Sequence, residues 1–343
     1  MVMDCIIIGG GIAGLQAAIQ LGRYASHQVL VIDAGDGRSA ICRSYRNLLG
    51  YPDGVSGMQL REAGMRQLAA YGIDVIRDTI AEATRTADGH FLLRGSGSGD
   101  TGIGGATTYT ARTLLIATGV MDRFTDYPGL RPCLGLTVYV CPDCDGYEVK
   151  DRRTVVLGAG DVGASMALTL RAWTDRLIYI DQAEVHALAD AAPEAHASRQ
   201  HRPQQQLTSA RLREQLEAAG IQHIEAGISA LSADTTTGGF QGVQLADGTT
   251  IEAERAFLAY GGNEVRSQLA RQLGATLHEN GHVWTDPRSK MTSIPGVWAA
   301  GDVAVHAEQV SIAMGEGAQA AIWIHKLLLD PAAAIPTYSP HAP

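Results

Sequence analysis

The chain has 343 residues, more than one domain usually holds, so two domains are the first expectation. Its hydrophobic share of 45 % and charged share of 18 % exclude a disordered chain. Basic residues number 27 against 36 acidic ones, a net charge of −9, and no lysine/arginine block marks a nucleic-acid partner.

The opening apolar run, Cys5–Ile8, is cut at once by Gly9–Gly11. That is too short for a signal peptide, and no stretch approaches the roughly 20 apolar residues of a membrane span. The expectation is a cytoplasmic protein with no membrane partner.

Asp4–Ile8 is predicted as a buried parallel strand, followed by Gly9, Gly11 and Gly14 in a G-x-G-x-x-G turn. Leu15–Leu21 is predicted as a helix, and Val29–Ile32 as a second strand ending in Asp33. The glycines permit a tight turn, close approach of a pyrophosphate and close helix–strand packing. The acid some 20 residues on suits a ribose 2′-hydroxyl. The pattern predicts dinucleotide binding.

The unit recurs. Thr154–Leu157 is a predicted strand, and Gly158, Gly160 and Gly163 form the turn around Asp161 and Val162. Ala164–Trp173 is the predicted helix, and Leu177–Ile180 the next strand, ending in Asp181. A vestigial second unit that only supports the fold is the alternative. Between the units, Gly95–Gly105 reads as a hairpin tip or loop, and Leu114–Ala117 runs into Thr118-Gly119. Residues 182–210 are polar. Val297–Ala300 is a predicted strand before Gly301-Asp302, Ser311–Leu329 a helix, and the proline-bearing tail an extended surface segment.

Five cysteines are too few and too odd a number for a secreted scaffold, and Cys141 and Cys144 form a C-x-x-C pair. The spacing permits a short disulfide when the second cysteine opens a helix, whose N-terminus lowers a thiol pKa. Zinc needs four ligands, and neither a second C-x-x-C nor paired histidines follow, so no metal is expected. Cys5 and Cys42 read as packing residues. Cys133 reads as inert, with a third redox thiol as the alternative.

These motifs in this order, with Ala117-Thr118-Gly119, Cys141-Pro142-Asp143-Cys144-Asp145-Gly146, and Thr292 through Ala299-Ala300-Gly301-Asp302, resemble the low-molecular-weight thioredoxin reductase family over roughly residues 4–327. The resemblance implies an α/β fold of two Rossmann-like nucleotide-binding domains, the second inserted into the first. It places an FAD domain at 1–115 and 250–330, the insert with the C-x-x-C at 116–249, and a tail at 331–343. It implies FAD contacts from Gly9, Gly11, Ala13, Gly14, Asp33, Arg38, Ser39, Asn47, Ala117, Thr118, Gly119, Gly301, Asp302, Gln309 and Val310, with Asp302 on the ribityl chain. It makes Asp145 the general acid/base and sets Cys144 towards the flavin. Reduced FAD would then pass two electrons to the Cys141–Cys144 disulfide, and Cys141 would attack a thioredoxin-like partner disulfide. A homodimer is implied as well.

The sequence departs from that family at the second nucleotide unit. The strand ends Tyr179-Ile180-Asp181-Gln182-Ala183-Glu184, and no arginine appears before Arg199 to hold a 2′-phosphate. NADPH is therefore not expected. A second FAD or NADH, with Asp181 on its ribose, or a protein donor such as ferredoxin, remains. Gly261–Asn263 and Glu308-Gln309 also depart from the family pattern. Arg152, Arg153, Arg211 and Arg213 read as a solvated face, with a docking patch for such a donor as the alternative. Two further function classes stay open: a dithiol oxidase acting on a small molecule, and a non-enzymatic flavin redox sensor. Tyr338 either stacks on a flavin or belongs to a disordered end.

Overall fold

The computed structural model describes residues 1–97, 107–182, 207–304 and 307–338. Most of the glycine-rich stretch 95–105, most of the polar stretch 182–210 with Arg199, and the last five residues lie outside the described residues. The chain divides into two compact units. One comprises Met1–Ile41, Leu48–Met121 and Glu264–Pro343; the other comprises Cys42–Asn47 and Asp122–Asn263.

In the first unit, Val2–Ile8 lies at the centre of a seven-stranded sheet. It pairs in parallel with Val29–Asp33 on one side and Thr108–Ile116 on the other. Asp74–Arg77 extends one edge, and Val297–Ala299 runs parallel to Thr108–Ile116. Phe91–Gly95 and Ile80–Arg85 add antiparallel strands. Both faces of the central strand are covered, which is why Cys5–Ile8 is uninterruptedly apolar. Cys5 and Ile7 pack with Leu15, Ala18 and Leu21 of the helix Ile12–Gly22. Ile6 and Ile8 pack on the opposite face with Phe91, Leu93 and Ala270.

That helix lies against the long helix Val310–Leu329, and Ala17, Ala18, Ala320 and Ala321 share one core cluster. A Cβ at Gly317 would come 2.2 Å from the Ala13 carbonyl oxygen, so the close approach depends on the missing side chain.

The second unit holds a five-stranded parallel sheet: Gln222–Glu225, Leu177–Asp181, Thr154–Gly158, Arg255–Ala259 and Val138–Tyr139. A three-stranded antiparallel sheet, Ile228–Asp234, Gly239–Leu245 and Thr250–Glu252, is appended. The mixed α/β architecture with two glycine-turn units is the Rossmann-type fold expected from the sequence.

The units divide at 121/122 and 263/264, where the sequence reading placed 115/116 and 249/250. Two pairings move the line. Arg255–Ala259 inserts between two strands of the second sheet, and Val120–Met121 pairs with Glu264–Val265 inside the first unit. Asn47, assigned to the FAD domain from the sequence, groups with the second unit. Among the described residues no helix is long and apolar enough to cross a membrane.

Candidate active site

The first glycine turn is shaped for a close-lying phosphate. Gly9 has φ 111°, and a Cβ there would strike the Ala117 carbonyl oxygen at 2.2 Å. A Cβ at Gly14 would sit 1.9 Å from the Gly9 oxygen. At Gly11, the N-cap of the helix, a Cβ would meet nothing within 4 Å. The backbone at the helix N-terminus is therefore open, as an anion requires. Asp33 stands at the end of the adjacent strand and accepts from the Gly10 N–H at 3.0 Å.

Arg61, 6 % exposed, pairs with the other Asp33 oxygen and donates to the Ser39 hydroxyl at 3.2 Å. It is carried by the helix Gly57–Ala70, whose start is fixed by a reciprocal Ser56/Gln59 capping box. Sequence reasoning missed Arg61. Its signal was a cation on a helix face otherwise made of Gly57, Leu60, Gly64 and Leu68.

Around Asp302 the first unit gathers further charge. Arg38 reaches Asp302 at 3.1 Å and also pairs with Glu308, and His282 Nε2 lies 3.7 Å from Glu308. Burial alone would raise the Glu308 carboxyl, but the neighbouring His282 and Arg38 outweigh it and hold the group down at about 2. Glu308, one of the positions where the sequence departs from the family pattern, thus has Arg38 as its counterion.

Gly301, with φ 75°, is fixed by Glu316, which accepts from its N–H at 2.9 Å and from Lys290 Nζ at 2.9 Å. Lys290 and Glu316 were also invisible in the sequence. Ala117 donates its N–H to Ile8, Thr118 donates its hydroxyl to the Arg266 carbonyl, and the Gly119 carbonyl accepts from the Arg266 N–H. Gln309 caps the helix that Val310 begins. These elements fit an FAD: an open glycine turn, an acid at the strand end, and Asp302 held by Arg38.

The redox pair lies in the second unit. Cys141 and Cys144 form a disulfide with Cα atoms 5.3 Å apart. Cys141 is the N-cap of the short helix Pro142–Asp145, and its carbonyl accepts from the N–H groups of Cys144 and Asp145. The sequence reading placed the second cysteine at the helix start, whereas the first cysteine opens it. Pro142 accounts for this, being suited to the first helical position. Asp145 is pushed up to about 7, first by burial and then by the Glu148 charge, with Arg46 partly offsetting both. Arg46 lies 3.6 Å from Glu148. A carboxyl poised near neutrality directly after Cys144 is placed to hold and release a proton there.

The second glycine turn differs from the first. Asp181 is only 4 % exposed. It accepts from the Gly160 N–H at 3.0 Å and the Thr208 hydroxyl at 2.6 Å, and His223 Nε2 lies 3.4 Å away. Asp161, in the first helical turn, accepts from the Ser209 N–H at 2.6 Å. A Cβ at Gly163 would strike the Tyr179 ring at 2.4 Å, and the Tyr179 hydroxyl donates to the Gly160 carbonyl. Val162 stays exposed. Asp181, His223 and Glu225 bring donor atoms within 4.8 Å of one another, but Glu225 is already paired with Arg213 at 2.7 Å.

The remaining cysteines are high-pKa thiols. Burial pushes Cys5 to about 12 and Cys42 and Cys133 to about 11. Cys133 donates to the Leu130 carbonyl at 3.1 Å. The tail does not end free as far as it is described. Ile335 packs on the core, Ser289 bonds the Pro336 carbonyl, and Tyr338 stacks on Trp284 at 4.9 Å, with His278 also stacked on Trp284. Tyr338 therefore stacks on a protein ring.

Comparison with known proteins agrees with this chemistry. Residues 3–317 match the family described as pyridine nucleotide-disulphide oxidoreductase. A thioredoxin reductase of Treponema pallidum is 29 % identical, with 93 % of this chain and 94 % of that protein covered. The crystal structure of HlmI superposes with a TM-score of 0.77 at 29 % identity, covering 96 % of this chain and 93 % of that one. The thioredoxin reductase structure from Streptococcus pyogenes, 23 % identical, shares the fold with a TM-score of 0.76 over 96 % of this chain and 99 % of that one. The chain belongs to the pyridine nucleotide-disulphide oxidoreductase family and is a FAD-dependent disulfide oxidoreductase of the thioredoxin reductase type.

Proposed function

We propose that this protein reduces a thioredoxin-like partner disulfide through Cys141 and Cys144, with electrons that do not come from NADPH. The observation that carries the proposal is the Cys141–Cys144 disulfide at a helix start, followed at once by a carboxyl raised to about 7. Bound FAD supplies the two-electron store on which the cysteine pair draws.

In the dithiol form, the Cys141 thiolate attacks one sulfur of the partner disulfide. One partner thiolate leaves and takes a proton, and a mixed disulfide forms. Cys144 then attacks the Cys141 sulfur, releases the second partner thiol and restores the Cys141–Cys144 disulfide. The partner gains two electrons and the dithiol loses two. Asp145, protonated below about pH 7 and ionised above it, carries a proton for these exchanges. Asp33, Arg61, Arg38 and Asp302 would hold the flavin, and Cys144 would be the sulfur that takes up its electrons.

Three donors fitted the sequence, and the structure weighs against each. NADH and a second FAD both require Asp181 to meet a ribose, and its burial works against that. A ferredoxin would need basic docking residues. Arg152, Arg153 and Arg213, exposed like Arg211, each lie within 3.2 Å of a carboxylate of this chain, which offsets their charge.

A second reading has one observation in its favour. A dithiol oxidase runs the same sulfurs in the opposite direction, with oxygen as final acceptor. It needs no nucleotide on the second unit, where Asp181 is closed off.

An anaerobic dithionite titration tests the proposal. The wild type is expected to take up about four electrons per chain, and Cys144→Ser about two. Excess oxidised thioredoxin should then withdraw all four from the wild type, two per partner disulfide, and none through the pair in Cys144→Ser. Uptake of only two electrons by the wild type would overturn the proposal. Rapid oxygen consumption with a small dithiol, without exchange with thioredoxin, would select the oxidase.

A further inference from the structure

We infer that Asp181 is a built-in anion that closes the second glycine turn to dinucleotides, leaving that unit as a scaffold for the redox cysteines. The inference concerns binding alone and stands whichever way the cysteine pair runs.

The geometry of the two turns separates them. In the first unit the strand-end acid, Asp33, accepts from Gly10, one residue before the N-cap Gly11, and the space above Gly11 is open. In the second unit the equivalent acid, Asp181, accepts from Gly160 itself, the first residue of the helix Gly160–Leu170. The N–H that would face a phosphate is thus bound to a carboxylate of the chain.

Asp181 also has no face left for a ribose. Its second oxygen takes the Thr208 hydroxyl at 2.6 Å, with the His223 ring nitrogen 3.4 Å away. Its side chain is 2 % exposed, against 17 % for Asp33. A ribose hydroxyl would have to displace Thr208 from a buried charge-assisted hydrogen bond.

Charge acts in the same direction. A helix N-terminus carries roughly half a positive charge, which attracts phosphate when nothing else is near. Here Asp181 lies on the first N–H and Asp161 sits in the first turn, held by the Ser209 N–H. Two carboxylates more than cancel the dipole, so a doubly charged pyrophosphate meets repulsion. Tyr179 braces the closed form from below, its hydroxyl on the Gly160 carbonyl and its ring against Gly163 and His223.

The second redox substrate therefore reaches the flavin or the cysteine pair without docking on this turn. ADP-ribose tests this, because it carries a pyrophosphate and free ribose hydroxyls but no redox group. Calorimetry on the FAD-loaded wild type is expected to show no saturable uptake at millimolar ADP-ribose, and one flavin per chain. Asp181→Asn removes the charge, and Asp181→Ser also frees the Gly160 N–H. Either is expected to bind ADP-ribose about tenfold or more tightly than the wild type, with flavin spectrum and far-ultraviolet dichroism reporting that the variant is folded. Saturable ADP-ribose binding by the wild type, or a second flavin per chain, would overturn the inference without reference to any variant. So would folded Asp181 variants that bind no better than the wild type.

Discussion

The two glycine turns start from the same sequence plan and end in different electrostatics. In each, an aspartate closes the second strand and reaches back to a turn N–H. Asp33 is partnered by a cation, Arg61, and remains partly open. Asp181 is partnered by a hydroxyl and an imidazole and is buried. The motif fixes where the acid lies, but its neighbours decide whether it reads a ligand or the protein itself. Arg61 comes from a helix some 28 residues downstream of Asp33, and Thr208 from 27 residues downstream of Asp181. Neither belongs to the motif.

The largest effect that sharpens this contrast lies in the second unit's cysteines. If that unit is a scaffold for Cys141 and Cys144, Cys144→Ser and Cys141→Ser should each lower partner reduction on the order of 10³-fold or more. Flavin content and spectrum set by the first unit should stay near normal. Activity surviving in Cys144→Ser would mean that electrons bypass the pair, and the division of labour between the units would fail.

Asp145→Asn comes next, with a loss of roughly 10²-fold expected at neutral pH. The wild-type rate should bend near pH 7, where Asp145 changes charge, and the variant's profile should lack the bend. Stability follows the same group. Its folded pKa of about 7 exceeds the ordinary 3.8, so its contribution is fully present below pH 3.8 and is lost as pH rises through 7. The variant, which never ionises, should therefore close on or overtake the wild type in thermal stability above pH 7. Parallel stability curves across that range would count against a perturbed carboxyl.

How much of this was legible beforehand depends on where the partner of each group comes from. The strands, both turns, the two acids and the C-x-x-C were readable because each is local. Cys5–Ile8 had to be apolar to be buried on both faces, and Gly9 and Gly14 had to lack side chains. The charged supports were not readable. Glu316 (itself held by Lys290), Arg61 and Glu308 act on Gly301, Asp33 and Arg38 across 15 to 270 residues of chain. The extent of the second unit was missed for a related reason. Arg255–Ala259 joins its sheet by long-range pairing with Thr154–Gly158, which periodicity does not reveal.

Removing the cation tests the first unit's side of the comparison. Arg61→Met leaves a mostly buried Asp33 carboxylate without its counterion, for an expected cost of about 3 kcal/mol. Both the melting temperature and flavin retention should fall, because Asp33 and Ser39 lose their common partner. A drop in melting temperature with undiminished flavin binding would make Arg61 a fold support only and separate it from the ligand.

The smallest effect distinguishes fold from ligand in the same unit. Tyr338 stacks on Trp284 with the ring planes 9° apart, and Trp284 also stacks against His278. Truncating one ring of such a stack costs about 1 kcal/mol, a shift of about 2 °C for a chain of this size. Tyr338→Ala should therefore lower the melting temperature slightly and leave the flavin absorbance bands in place, because the ring's partner is Trp284. The two readouts separate here, whereas they move together in Arg61→Met. A displaced flavin band in Tyr338→Ala would put this ring on the cofactor, and the tail would then belong to the ligand-reading side of the molecule.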